Sequence, residues 1–254
     1  MTRRLDARTL ASSAGVLAGL LALWWAASHG DWVSRVFLPT PEATWGSLAE
    51  GLGTGELIEF SAATSLRMLL GWGLAALAGV ALGVLIGASA AMRLWIGPTL
   101  EFVRPLPASA VMPLAISIFG LSGGMVLAVV AFGAMWPVLL ATVHGMASVP
   151  TQLKEVSAAL GLTRTEYITR IGLPNAMPDI LAGMRLAMTV SLIISVVGEM
   201  IASQPGLGQA ILLAARSFRA SELFAGIALL GAIGFLSNAL LAVAEAHLLK
   251  WQHP

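Results

Sequence analysis

No cysteine occurs anywhere in the 254 residues, which excludes disulfides, thiol nucleophiles and cysteine metal sites. Charge is nearly as scarce: Asp, Glu, Lys and Arg make up 11% of the chain against 57% hydrophobic residues. Soluble domains carry about 25% charged residues. With a mean hydropathy of +0.86, this chain reads instead as an integral membrane protein. A formal net charge of +1 and scattered basic residues offer nothing for nucleic acid to bind. Also missing are a G-x-x-x-x-G-K phosphate loop, an H-E-x-x-H pair and any paired-cysteine pattern. By those routes the chain binds no cofactor and no metal, and it does not itself hydrolyse ATP.

What the sequence does have is long uncharged runs. Leu10 to Ser28 is the first, and it reaches the length of about 20 residues that crosses a bilayer core. Arginines precede it, as in a secretory signal, but its length and the bulky Trp24 and Trp25 predict a retained helix. A polar stretch to Ser61 comes next, with Asp31, Arg35, Glu42, Glu50, Glu56 and Glu59, and Thr40 before Pro41 predicts a helix start there. Met68 to Met92 is the second run. From Pro105 to Leu153 no charged residue occurs, and FGLSGG at Phe119 to Gly124 divides that stretch into two crossings. Pro178 to Met200 and Leu223 to Ala244 complete six. The expectation is an all-α integral membrane protein, divided into residues 1–61 (first helix and extracytoplasmic segment) and 62–254 (core).

Within the runs some residues stand out. Ala75, Gly79, Gly83 and Gly87 recur every fourth position, a face with almost no side-chain volume on which another helix backbone can approach closely. Pro105, Pro107 and Pro113 remove backbone donors and should bend the third crossing. Carbonyls freed at membrane depth are tolerable only against protein or a watery path. Charges inside a membrane are costly. Arg104 could therefore face an anionic solute, or it could snorkel or pair with Glu101. Glu199, at the outer end of the fifth crossing, could gate a path or bind a neighbouring subunit, or simply be hydrogen-bonded to the adjacent glycine turn. Asp179 and Arg185 read as membrane-entry residues, and Met125, Met135, Met184 and Met188 as packing.

One polar island interrupts the apolar chain: EVSAALGLTRTEYITRIGLP, from Glu155 to Pro174, with Lys154 just before it. Leu153, Val156 and Leu160 recur at helical spacing and predict a short amphipathic helix. Gly161 is suited to end that helix. Thr163 and Glu166 have capping-box spacing, with Leu162 and Tyr167 as the staple, so a second helix should begin there and stop at Pro174. The result is a compact two-helix knob at 150–174, with a stripe for a partner.

The order of residues in this island resembles the cytoplasmic EAA loop of ATP-binding-cassette (ABC) importer permeases. Glu155, Gly161, Ile171, Leu173 and Pro174 sit at the matching offsets, while Val156 and Ser157 stand where that loop has two alanines. FLPTPEATWGSL and RPLPASAVMPL resemble segments of the permeases for nitrate, sulfonates and taurine. The resemblance implies a type I importer permease in a bacterial inner membrane that pairs with a second copy, preferably identical. It also implies two ABC ATPase subunits docked at the knobs, with ATP and Mg bound there, and a periplasmic or lipid-anchored solute-binding protein. The residues implied to couple to the ATPase are Glu155, Val156, Ser157, Leu160, Gly161, Tyr167, Ile171, Leu173 and Pro174. Arg104, Pro107, Pro113 and Glu199 are candidates for the path.

With a cytoplasmic amino terminus, six crossings place Arg3, Arg4, Arg8, Arg93, Lys154, Arg164, Arg170 and Lys250 inside, and Arg35, Arg67, Arg216 and Arg219 outside. That bias puts both termini and the knob in the cytoplasm. Two other classes fit the sequence less well. An ion-gradient-driven secondary transporter would show inverted repeats or paired broken helices and would not need the knob. A membrane enzyme would need a convergent catalytic set, and none is present; a non-catalytic scaffold is the remaining form of that class.

Overall fold

The computed structural model describes residues 7–30 and 33–249, so Arg3, Arg4, Asp31 and Lys250 lie outside the described residues. Every regular element among those described is helical. The chain divides into two compact units, one of Met1–Phe60 and Ala210–Leu230, the other of Ser61–Gln209 and Gly231–Pro254.

In the first unit, α1 (Ala7–His29) carries the first uncharged run. It is tied to the segment after it through two indoles: Trp24 Nε1 donates to the Pro39 carbonyl at 2.9 Å and Trp25 Nε1 to the Glu42 carboxylate at 3.0 Å. Helix α2 (Pro41–Gly53) starts where Thr40 caps it, its hydroxyl accepting from the Ala43 N–H at 3.2 Å, with Pro41 in the first turn. The Glu42 carboxyl is held below the usual carboxylate range, chiefly by a backbone N–H at the helix start.

The second unit is built around one long rod. Helix α3 (Glu56–Gly87) leads in, followed by α4 (Ala90–Val103), α5 (Ala108–Phe119) and α6 (Gly123–Ala147). After α7 (Thr151–Ala159) comes a single turn, α8 (Arg164–Tyr167), then a π-helical turn at Ile168–Gly172, and then α9 (Leu173–Ala202) without a gap. Helix α10 (Leu207–Arg216) lies mostly in the first unit, and α11 (Ala220–Leu248) begins in the first unit and ends in the second. Apolar side chains from α3, α6 and α9 meet at Ala75, Ala134, Val138 and Ala187. Those of α5, α6 and α9 meet at Met112, Val126, Val129 and Ile194.

Helices α3, α6, the Arg164–Ala202 rod and α11 are each long and apolar enough to cross a membrane. The pair α4 and α5 qualifies as a fifth span only if taken together, because it bends by 90°. This revises the sequence reading of the third crossing, which began a single helix at Pro105. In the structure the break falls on Arg104 to Pro107, where two prolines one residue apart prevent α4 from continuing, and α5 alone has only 12 residues. Two further boundaries move. Helix α3 begins at Glu56, so Arg67 lies inside the helix instead of bounding it. Pro174 does not stop the helix that Thr163 caps. It occupies the first turn of α9, directly after the π turn, where its fixed φ of about −65° suits the helix. The expected knob is therefore one free helix, α7, followed by the near end of the fifth spanning helix.

The small-residue stripe of α3 lies against α6. A Cβ on Gly79 would stand 2.8 Å from Val138 Cβ, on Gly83 2.5 Å from Thr142 Cβ, and on Gly87 2.7 Å from Met146 Cβ. Contacts this close bring the two backbones together and replace side-chain volume with dispersion along the whole seam.

Candidate functional site: a cleft, a buried carboxylate node and a free helix

Helices α5, α6 and α9 enclose a cleft of about 830 Å³. On α9 its wall extends from Asp179 to Val197, or roughly 27 Å at 1.5 Å per residue, close to a bilayer core in length. Most of the cleft's lining is apolar, from residues such as Met112 on α5 and Leu186 and Ile193 on α9. Three ionisable side chains line it: Arg104, His144 and Asp179. None of the three makes a side-chain hydrogen bond or ion pair among the described residues. Arg104 is exposed and does not pair with Glu101, which removes one of the two ordinary roles expected for it. Asp179 lies close against α6, its Oδ2 3.0 Å from where a Cβ on Gly145 would be.

Prolines affect this cleft, though not through their own side chains. Pro107 precedes α5 as its cap and Pro113 is exposed on it, and neither lines the cleft. Pro113 and Pro137 each lack the N–H that would bond the carbonyl four residues back. Those carbonyls belong to Ser109 and Gly133, and both residues line the cleft. The Trp136 indole N–H, buried beside it, also finds no acceptor among the described residues.

Glu199 is not part of the cleft. It is fully buried, and its carboxylate forms an ion pair with Arg67 from α3. The same carboxylate accepts from the Thr64 hydroxyl at 3.0 Å and from the Gly208 N–H at 2.9 Å. Thr64 in turn accepts from the Leu207 N–H at 2.9 Å, and Arg67 donates to the Pro205 carbonyl at 3.2 Å. A Cβ on Gly206 would sit 2.5 Å from the carboxyl carbon, so only glycine lets the turn wrap this closely. Donors from three directions thus replace the water that burial takes from this carboxylate. In this chain Glu199 therefore joins α3, α9 and the glycine turn, which is the third of the roles expected for it.

At the opposite end of α9 the polar island forms a distinct surface. Helix α7 leaves Leu153, Val156 and Leu160 exposed at 42%, 51% and 70%, while Ser157 is buried with its hydroxyl on the Lys154 carbonyl at 2.7 Å. Gly161 takes φ +63 immediately after the helix, a conformation that glycine adopts without a Cβ clash. The capping box then forms: Glu166 N–H donates to the Thr163 hydroxyl at 3.3 Å, and Thr163 N–H to the Glu166 carboxylate at 3.0 Å. Tyr167 and Ile171 are half-buried. Behind them Gly172 is packed on Met146, and the Asn175 amide donates to the Gly145 carbonyl at 3.0 Å and the Ser148 hydroxyl at 3.3 Å. Nothing in the sequence singles out Asn175. An amide just past a proline carries no local signal, and only the approach of α6 gives it partners.

The geometry offers a cleft about as long as a bilayer core is thick, a stiffened glycine turn and a short helix with an exposed apolar stripe, with no cluster of catalytic side chains among the described residues. The chain covers 77% of its length on a structure of the MetNI methionine ABC transporter in inward-facing conformations, with a TM-score of 0.67, 18% identity and 97% of that chain matched. For an amino acid ABC transporter the TM-score is 0.60, at 19% identity over 78% of this chain and 95% of that one. In sequence it is 32% identical to the Bacillus subtilis (strain 168) putative aliphatic sulfonates transport permease protein SsuC, over 93% of this chain and 86% of that relative. It is 29% identical to the Escherichia coli (strain K12) taurine transport system permease protein TauC, over 96% and 90%, and 30% identical to the Leptolyngbya laminosa nitrate import permease protein NrtB, over 87% and 81%. Residues 79–251 match the family model for the binding-protein-dependent transport system inner membrane component, and the chain belongs to that family of ABC-importer permeases.

Proposed function

We propose that this permease carries a small, anionic solute of the nitrate, taurine or alkanesulfonate type from an extracytoplasmic binding protein into the cytoplasm, driven by ATP hydrolysis on separate chains. Two ATPase subunits grip the α7 helices of two permease copies, identical to one another, and ATP and Mg stay with the ATPases. The membrane is the bacterial inner membrane, with both termini and α7 on the cytoplasmic side. The positive-inside count supports that orientation, and the relatives' names support the solute class.

The observation that carries this reading is the exposed stripe of Leu153, Val156 and Leu160 on α7. Three large apolar side chains exposed along a short polar helix are costly in water and call for a protein partner. The segment after α7 suits a coupling role. Its connection through Gly161, the capping box and the π turn runs straight into α9, so force applied at α7 is passed to a spanning helix and not absorbed by a loop. Glu155, Ile171, Leu173 and Pro174 complete the coupling segment. Gly79, Gly83 and Gly87 hold α3 to α6, so that the bundle moves as a body.

The test is reconstitution of the chain in liposomes with the products of its neighbouring genes. Solute-stimulated ATP hydrolysis is expected, and replacing Leu153, Val156 and Leu160 together by serine should release the ATPase. Uptake driven by an ion gradient with this chain alone would refute the reading.

A further inference from the structure

A second concavity is formed wholly by residues of the first compact unit. It is a groove of about 700 Å³ between α1, α2 and the beginning of α11. Leu21 and Trp24 come from α1, Trp45 and Leu48 from α2, and Phe224 and Ile227 from α11. The stacked rings of Trp24 and Phe224, with centroids 5.7 Å apart, join two of these walls. Leu21, Trp45 and Ile227 remain exposed, and water is a poor neighbour for so apolar a surface. Because α11 is long and apolar enough to cross a membrane, the medium that this wall meets is hydrocarbon.

The groove has the polarity of an amphiphile. Near the end of α1 its lining turns polar through Glu42, whose carboxylate accepts from Trp25 Nε1 at 3.0 Å and stands 4.0 Å from His29 Nε2. One turn back along α1 and one turn further into α11 the lining is Leu21 and Ile227, both aliphatic. Glu42 is the single ionisable side chain in the lining among the described residues. Its side chain is 61% exposed, so acceptor sites remain beyond the one that Trp25 occupies. The Trp45 indole N–H, unlike those of Trp24 and Trp25, meets no acceptor among the described residues. An anionic head group would be repelled by Glu42, whereas a primary ammonium brings it three donors.

We infer that the groove is a selective lipid site, taking one phospholipid with a primary-amine head group, of the phosphatidylethanolamine kind, its ammonium on Glu42 and an acyl chain between α1, α2 and α11. The Trp45 N–H is free to donate to a phosphate or ester oxygen of the same lipid. Indole rings suit that level of a bilayer, having one polar edge and an apolar body. Such a lipid differs from the annular lipid around any spanning helix, because it is walled on three sides and selected by charge. The inference needs the chain to span a membrane and uses neither the solute nor the ATPase, so it fails or survives independently of the importer reading.

Tryptophan quenching in nanodiscs tests it on the full-length permease. Acyl-brominated phosphatidylethanolamine or phosphatidylglycerol is titrated into a phosphatidylcholine bilayer, and bromine quenches indoles that it touches. The groove's share of the signal is the difference between the native chain and Trp45→Phe. A charge-assisted hydrogen bond is worth about tenfold or more in affinity, so the ethanolamine lipid should reach half-maximal quenching at about a tenth of the glycerol lipid's mole fraction. Glu42→Gln, whose amide oxygen still accepts from Trp25, should make the two lipids equal. Ala228→Phe places bulk on the α11 wall and should remove the saturable quenching by both lipids, with Ala228→Leu as a milder form.

Equal quenching by the two lipids in the native chain, or a preference unchanged in Glu42→Gln, overturns the inference. So does quenching that rises with brominated lipid and never saturates, since that describes annular lipid only. A cysteine introduced at Ala228, alone in a chain without native thiols, decides the other occupant. No disulfide between copies is expected on oxidation, and an efficient one would make the groove a contact between chains and overturn the lipid site.

Discussion

Glu199→Ala separates a structural carboxylate from a path residue. The substitution removes the ion pair to Arg67 and the bonds from the Thr64 hydroxyl and the Gly208 N–H. Breaking a buried pair by deleting one partner costs about 3–5 kcal/mol. The lower end applies, because Arg67 keeps 15% of its side-chain exposure and its bond to the Pro205 carbonyl. The Gly208 N–H, left without an acceptor in a buried turn, adds about 1–3 kcal/mol. The sum, about 4–6 kcal/mol, corresponds to a fall in melting temperature of roughly 8–24 °C at about 2–4 °C per kcal/mol for a chain of this size. Glu199→Gln should fall less, since its amide oxygen still accepts from Gly208 while Arg67 loses its counter-charge. Because the chain has no thiol for a dye, melting is followed by tryptophan fluorescence in detergent. A Glu199→Ala protein that melts within about 2 °C of the native one and yet fails to transport would refute the buried-node reading and return Glu199 to the path.

Three further outcomes are expected. Gly161→Val places a β-branched residue at φ +63, which costs about 1–2 kcal/mol or more with no clash, since nothing lies within 4 Å of the position; ATP hydrolysis should lose its coupling to uptake or the ATPase should not bind, while Gly161→Asn, which tolerates that backbone, should couple normally. Gly83→Leu drives a side chain into Thr142 and the Leu139 carbonyl, 2.9 Å from its Cβ, and should lower yield and melting temperature sharply; Gly73→Ala, on the same helix with nothing within 4 Å, should be neutral or gain up to about 1 kcal/mol. A cysteine introduced at Thr165, on the exposed side of the capping box, should react with an impermeant thiol reagent only from the cytoplasmic side in membrane vesicles, and labelling from outside would reverse the topology.

The sequence by itself determined the chain's solvent, its helical class and several helix ends, because these depend on local composition. Uncharged runs long enough to span a bilayer are themselves the membrane signal, Thr40 with Pro41 and Thr163 with Glu166 are caps within three residues of what they cap, and Gly161 ends a helix by its own backbone freedom. The resemblance of the Glu155–Pro174 island to a coupling loop was likewise legible, since it depends on spacing along the chain. Tertiary structure decided what spacing does not encode. Arg67 looked like the edge of a helix, and its meaning came only from Glu199, 132 positions away. Pro174 looked like a stop signal, but a proline has the same effect on the residue before it whether a helix is ending or a new turn is beginning. The packing of Met146 and Ala176 behind it continued the rod into α9. The cleft, too, is a product of three helices. Arg104, His144 and Asp179 stand 40 and 35 residues apart in order, and only the way the end of α4, α6 and α9 come together brings them to one cleft.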